Sequence, residues 1–241
     1  MSGLVLVVGT KAFCEKGVKL LSSRGIRAQE LVVLKEETNL HELKNVLTSL
    51  NNFDWGIFCS VNAVKSLVEV SKATDKKTVL EGLKKVAAVG PSTANALSEI
   101  WNGEIFLPTR YTVLSLAEQL PAVCGSAVLA FRSNLTDEQL VKVLEARGAR
   151  KVSQVAAYRI HVDEAVELPE QALIALLGSP SSARAYAGLC RSKGLVPTPV
   201  ACIGPATYRE AVRAGLNAVV VAPEHTLESL VEHVLQAVRI E

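Results

Sequence analysis

A string that occurs twice constrains this chain more than any other feature. Gly90-Pro91-Ser92-Thr93 returns 114 residues later as Gly204-Pro205-Ala206-Thr207, and Thr112 and Leu116 return at the same interval as Thr226 and Leu230. Upstream of each Gly-Pro stands a Ser-led turn, Ser60-Val61-Asn62-Ala63 and Ser179-Pro180-Ser181-Ser182. A second unit repeats at 123 residues: Val18-Lys19-Leu20-Leu21-Ser22-Ser23-Arg24-Gly25 is matched by Val141-Lys142-Val143-Leu144-Glu145-Ala146-Arg147-Gly148. The order is therefore a–b–a′–b′. Intervals this long exceed the ~20–50 residues of solenoid repeats and indicate duplicated domains. Two similar lobes follow.

Within each copy, short apolar runs alternate with helical spacing, the pattern of an α/β protein with mostly parallel strands. Leu4 to Val8 is continuously apolar, as a strand covered on both faces must be. Further strands are expected at Leu31–Leu34, Trp55–Cys59, Val86–Val89, Ile105–Leu107, Ala127–Phe131, Val152–Ile160, Leu173–Leu177, Val200–Ile203 and Ala218–Val221. Helices are expected from about Phe13 to Arg24, through Leu40–Leu50, and at Ala63–Val70, Thr93–Ile100, Leu114–Leu120 and Asp137–Arg147. Gly25 and Gly148 stand where a left-handed C-cap belongs.

Composition narrows the function classes. Of 241 residues 49% are apolar and 21% charged, enough to fill a core, and the mean hydropathy is +0.27. Twenty-six Lys and Arg against 24 Asp and Glu give a net charge of +2, with no general footprint for nucleic acid. No apolar run approaches the ~20 residues that span a bilayer, and no signal-peptide pattern opens the chain. Cys14, Cys59, Cys124, Cys190 and Cys202 are odd in number and never form C-x-x-C, which suits free thiols in a reducing, cytoplasmic setting.

Three kinds of turn can carry chemistry: the Ser turns at 60 and 179, the Gly-Pro-x-Thr turns at 90 and 204, and the Thr-led starts at 112 and 226. Each leads from a strand end into a helix, where unpaired N–H groups and a partial positive charge can hold a carboxylate or phosphate. The same residues also serve as ordinary caps worth about 1 kcal/mol each. The repeat does not decide between these uses. A P-loop, a G-x-G-x-x-G fingerprint, H-E-x-x-H and G-x-S-x-G are all missing, and His41, His161, His225 and His233 make no ligand pair. Neither a metal nor a cofactor is expected. Chemistry must rest on hydroxyls and backbone N–H groups.

Tyr158, in the extended Val155-Ala156-Ala157-Tyr158-Arg159-Ile160 between a′ and b′, either packs its ring or donates a proton. Lys11, Arg110 and Arg132 follow strand ends, where they either meet acidic ligand groups or are solvated. Trp55 and Trp101 are expected to fill core and edge positions.

The turns taken together resemble the uroporphyrinogen-III synthase family of tetrapyrrole biosynthesis. The resemblance lies in Asp54-Trp55-Gly56-Ile57-Phe58-Cys59-Ser60-Val61-Asn62-Ala63-Val64, Val86-Ala87-Ala88-Val89-Gly90-Pro91-Ser92-Thr93, Ala157-Tyr158-Arg159, Gly178-Ser179-Pro180-Ser181-Ser182, Cys202-Ile203-Gly204-Pro205-Ala206-Thr207 and Ala222-Pro223-Glu224-His225-Thr226-Leu227-Glu228-Ser229-Leu230. These stretches run through nearly the whole chain in the family's order. Departures are Ala206, where many relatives carry a hydroxyl, Gly9-Thr10-Lys11 in place of Thr-Arg-Pro, and Val61-Asn62 in place of a Ser-Pro form.

The resemblance implies two parallel-sheet lobes, the second inserted into the first. Lobe 1 is then residues 1–27 and 165–241, lobe 2 is 39–151, and extended connectors run over 28–38 and 152–164. It also implies the reaction. Hydroxymethylbilane, a linear tetrapyrrole with eight carboxylates, loses its terminal hydroxyl as water, and ring D attacks through its substituted carbon. A spiro intermediate then opens and recloses with that ring inverted, whereas unaided closure gives the type I isomer. Tyr158 takes the place of the family's proton-donating tyrosine. Thr10, Lys11, Ser60, Asn62, Ser92, Thr93, Thr112, Arg132, Ser179, Ser181, Ser182, Thr207 and Thr226 are the expected substrate-binding residues. The partner is this small molecule alone, with no nucleic acid or membrane, and the chain is expected to be a cytoplasmic monomer. The alternative is a bilobal ligand binder or sensor without catalysis, which the same architecture also supports.

Overall fold

The computed structural model describes residues 3–74, 80–135, 138–169 and 171–238, so the expected helix start at Asp137 and both chain ends lie outside the described residues. In chain order the elements are β1 (Val5–Thr10), α1 (Lys11–Ser22), β2 (Ala28–Thr38), α2 (Leu40–Leu47), β3 (Trp55–Phe58), α3 (Val61–Thr74), β4 (Lys85–Ala88), α4 (Pro91–Leu97), β5 (Ile105–Phe106), α5 (Val113–Gln119), β6 (Ala127–Ser133), α6 (Gln139–Ala146), β7 (Lys151–Val162), β8 (Ile174–Leu177), α7 (Pro180–Ser192), β9 (Val200–Cys202), α8 (Pro205–Arg213), β10 (Ala218–Val221) and α9 (Leu227–Val238). Among the described residues no helix is long and apolar enough to cross a membrane.

The chain divides into two compact units, Met1–Lys35 with His161–Glu241, and Glu36–Ile160. In the first unit the strands run β2-β1-β8-β9-β10, all parallel. In the second they run β7-β6-β3-β4-β5, again all parallel. The two orders follow one plan. A β-α-β pair (β1-α1-β2 or β6-α6-β7) lies beside three strands from the longer repeat. The strand order reverses between β1 and β8 in one unit and between β6 and β3 in the other. Such reversals are where open α/β sheets leave a crevice at the strands' carboxyl ends.

The 123-residue repeat closes its helices alike. Gly25 after α1 and Gly148 after α6 take φ of +74° and +85°, the left-handed conformation that glycine adopts without a steric cost. Residues 28–38 and 152–164, expected as connectors, lie largely in strands: Ala28–Leu34 pairs along β1, and Lys151–Tyr158 pairs along β6. Leu31, Val33 and Leu34 are buried, which explains why this stretch is a sheet strand in its own right.

Each unit has its own core. In the first, Val5 and Val7 of β1, Ile174 and Leu176 of β8, and Leu230, Val231 and Val234 of α9 cluster with Cys14 and Leu21 of α1. In the second, the sheet is covered on both faces, one cluster including Phe58, Leu67, Leu97 and Phe131, the other Trp55, Ile57, Leu116 and Leu144. Burial at roughly 25 cal/mol per Å² of apolar surface is the main favourable term here. Phe58 and Phe131, Cα partners on β3 and β6, stack with centroids 4.7 Å apart and fix the strand ends on which the next residues stand.

Candidate active site

Both strands that begin the β-α-β pairs carry an irregularity at their last step. On β1, Gly9 pairs with Val32 but Thr10 pairs with Leu34, so one residue of β2 is passed over. On β6, Arg132 pairs with Ala156 but Ser133 pairs with Tyr158, passing over Ala157. A bulge of this kind re-aims a side chain relative to a regular ladder. In the second unit it sets Tyr158 opposite Ser133, next to the strand-order reversal.

Ser60 completes this corner. It follows β3 and caps α3, its Oγ accepting the Ala63 N–H at 3.2 Å and donating to Tyr158 Oη at 3.1 Å. The Tyr158 ring is 9% exposed and joins the core of its unit. The tyrosine therefore packs its ring while keeping its hydroxyl in a polar corner. Burial pushes its pKa above the ordinary 10.0, and the Ser60 and Ser133 hydroxyls oppose that rise while Glu36 and Cys59 add to it. The phenol is protonated at neutral pH and equipped to donate.

Glu36, near the end of β2, accepts a hydrogen bond of 2.7 Å from Asn62 Nδ2. Burial raises its carboxyl pKa, with Asn62 and Lys65 acting the other way. A carboxylate of the chain itself thus engages the Asn62 amide. Arg132 is 8% exposed and donates to Gln154 Oε1 at 2.8 Å, so it is no solvated surface arginine. With Ser133, Asn134 and Arg159 it borders an open depression of about 450 Å³.

The other expected residues form separate turns. Ser179 caps α7 through a reciprocal pair, accepting the Ser182 N–H at 3.1 Å while its own N–H reaches Ser182 Oγ at 3.0 Å, and Ser181 Oγ lies 2.9 Å from Ser179 Oγ. Thr112 accepts the Ser115 N–H and Thr226 the Ser229 N–H, both at 3.1 Å. Thr93 and Thr207 are buried in the first turns of α4 and α8, while Ser92 is exposed. Gly90 lies against Tyr111 and Gly204 against the His225 ring, residues that match in the 114-residue repeat. Thr10 precedes α1 without a side-chain capping bond, and Lys11 is exposed, paired with Glu15 at 3.3 Å and Glu30 at 3.7 Å. In the first unit the Phe13 ring lies against Gly9 and Gly178, and a Cβ on Gly178 would meet it at 2.7 Å.

Of the sequence-based candidates, the structure brings Tyr158 and Ser60 into contact, with Asn62 bonded to Glu36 close by, whereas Arg132 is bonded to Gln154 and borders the separate depression. Ser133 and Glu36 belong to the same corner and were missed. The 123-residue interval held the signal for Ser133, because it carries Thr10, already a candidate, onto that position. Among the described residues no group of three or more His, Cys, Asp or Glu could hold a metal ion.

Comparisons with known proteins agree on one family. Uroporphyrinogen-III synthase of Synechococcus elongatus is 28% identical over 206 residues, covering 78% of this chain and 76% of its own length. The chloroplastic uroporphyrinogen-III synthase of Oryza sativa subsp. japonica is 26% identical over 250 residues, covering 98% and 80%. A crystal structure of a mutant uroporphyrinogen III synthase from Thermus thermophilus shares the fold with a TM-score of 0.64 and 19% identity, over 99% of this chain and 100% of that one. The wild-type protein in a second crystal form gives 0.51 at 18% identity, over 98% of each. A family model described as "Uroporphyrinogen-III synthase HemD" matches residues 15–232. With most of its length so matched, the chain belongs to the uroporphyrinogen-III synthase family.

Proposed function

We propose that this protein is a lyase that cyclises hydroxymethylbilane to uroporphyrinogen III, with loss of water and inversion of ring D. The observation that carries the reading is Tyr158, a protonated phenol held by Ser60 at the reversal point of a family fold. The bilane's terminal C–O bond breaks with its electron pair leaving on oxygen. Tyr158 gives that oxygen its proton, and water departs. The pyrrole nitrogen feeds the resulting cation, which ring D then attacks. Because the cation is reactive unaided, orientation of the bilane supplies much of the catalysis.

In this reading the substrate's carboxylates are held by hydroxyls and helix N-termini. The residues are Ser60, Ser92, Thr93 and Thr112 with Arg132 and Asn62 in the second unit, and Thr10, Lys11, Ser179, Ser181, Ser182, Thr207 and Thr226 in the first. The lobes of the reading are 1–27 with 165–241, and 39–151. The protein acts as a cytoplasmic monomer without metal or nucleotide. Five unpaired cysteines suit a reducing compartment.

The test is to give purified protein hydroxymethylbilane in the presence of chelator and separate the products chromatographically. Type III isomer is expected. Type I alone would overturn the reading in favour of a binding protein.

A further inference from the structure

We propose that Ser133 is a positioning residue which, together with Ser60, supports the Tyr158 oxygen as its proton leaves. The inference rests on the cyclase reading above and names a residue which that reading does not include.

A serine hydroxyl has one proton to donate and lone pairs to accept with. Ser60 Oγ accepts from the Ala63 N–H at 3.2 Å, so its proton is free for Tyr158 Oη. Ser133 Oγ accepts from the Leu135 N–H at 3.3 Å, so its proton is free too. The bulge at Arg132/Ser133 makes Ser133 the direct partner of Tyr158 across the ladder, and Asn134 N–H bonds the Tyr158 carbonyl at 3.2 Å, fixing the register. Ser60, in the turn after β3, bonds the phenol oxygen directly, and Ser133, on β6, stands across the ladder from Tyr158 with its hydroxyl favouring the ionised phenol.

This arrangement does two things. While the phenol is neutral, its oxygen accepts from the serines, and its own proton is directed away from them toward the substrate. When that proton passes to the departing hydroxyl, the serines donate to the tyrosinate left behind, the preorganised stabilisation used in oxyanion holes. After ring closure the proton lost from the macrocycle returns to the phenolate, restoring the acid. The groups that face the pair are Glu36 from β2 and Cys59 after β3, both making ionisation harder. Arg132 lies beside Cys59, and Lys65 beside Glu36.

The test compares wild type, Ser133→Ala and Ser133→Thr in two measurements. Single-turnover formation of type III isomer should fall about tenfold in the alanine variant, with KM little changed. The threonine variant, which keeps a hydroxyl, should recover most of the loss. Separately, the near-UV tyrosinate titration of the free protein, with Tyr158→Phe as background, should show the Tyr158 pKa rising in Ser133→Ala. An unchanged rate or an unchanged titration in Ser133→Ala would overturn the proposal. A wild type that yields no type III isomer would instead overturn the cyclase reading, and the titration would still decide whether Ser133 supports the phenol.

Discussion

The two reversal points share one backbone plan and differ in what they present. In the first unit the bulge sets Thr10 opposite buried Leu34, and the Phe13 ring fills the space over Gly9 and Gly178. In the second the equivalent bulge sets Ser133 opposite Tyr158, and Ser60 bonds the phenol. Their capping serines differ in the same way. Ser179 turns inward to Ser182 and Ser181, whereas Ser60 shares itself between its helix and Tyr158. The scaffold occurs twice, and the polar contacts to a tyrosine hydroxyl, which the proposed reading uses for proton transfer, occur at the second reversal point. In the proposed reading the first unit's backbone and hydroxyl groups hold substrate carboxylates.

This contrast can be broken in graded ways. The largest stability effect should come from the support beneath the second reversal. Phe131→Ala removes a fully buried ring stacked on Phe58 and should cost about 3–5 kcal/mol in denaturant unfolding. Val8, its counterpart 123 residues earlier, loses only two methyl groups on replacement by Ala and should cost about 2 kcal/mol. Equal losses would mean that the two corners are supported alike.

Gly178→Ala comes next. Its Cβ would press on the Phe13 ring, and a destabilisation of about 1–3 kcal/mol is expected, partly relieved in the double variant with Phe13→Ala. No relief would show that Phe13 does not fill that space. Ser60→Ala and Ser179→Ala should each lose about 1 kcal/mol of capping. Only Ser60→Ala should lower kcat, while Ser179→Ala should act on KM. The same kinetic signature in both would erase the distinction.

The smallest effect is expected at Glu36→Gln. A carboxyl whose pKa is raised by folding adds stability below its ordinary 4.5 and loses it as pH rises through the raised value, so at neutral pH its charge opposes folding. The glutamine variant should therefore be slightly more stable at neutral pH, and its Tyr158 should titrate lower because a repelling charge is gone. Thermal unfolding and tyrosinate absorbance check the two signs.

The a–b–a′–b′ order, the strands and the helix caps at Gly25 and Gly148 were legible because each depends on local residue pattern. The strand order was not, since pairing β1 with β8 and β6 with β3 joins segments far apart in sequence. Tyr158 and Ser60 stood out singly, but nothing local announces that they touch. Ser133 was hidden for a sharper reason. A bulge decides which residue faces Ser133, and a regular ladder would have put Ala157 there instead of Tyr158. Glu36 was equally silent, because only the turn of α3 brings Asn62 onto it.

Tyr158→Phe tests the central claim most directly, read as the single-turnover rate of type III formation against wild type with circular dichroism as the check on folding. A fall of about a hundredfold in a folded protein is expected, the usual scale for losing a general acid. Type III isomer made at the wild-type rate would contradict the assignment of proton donation to this corner.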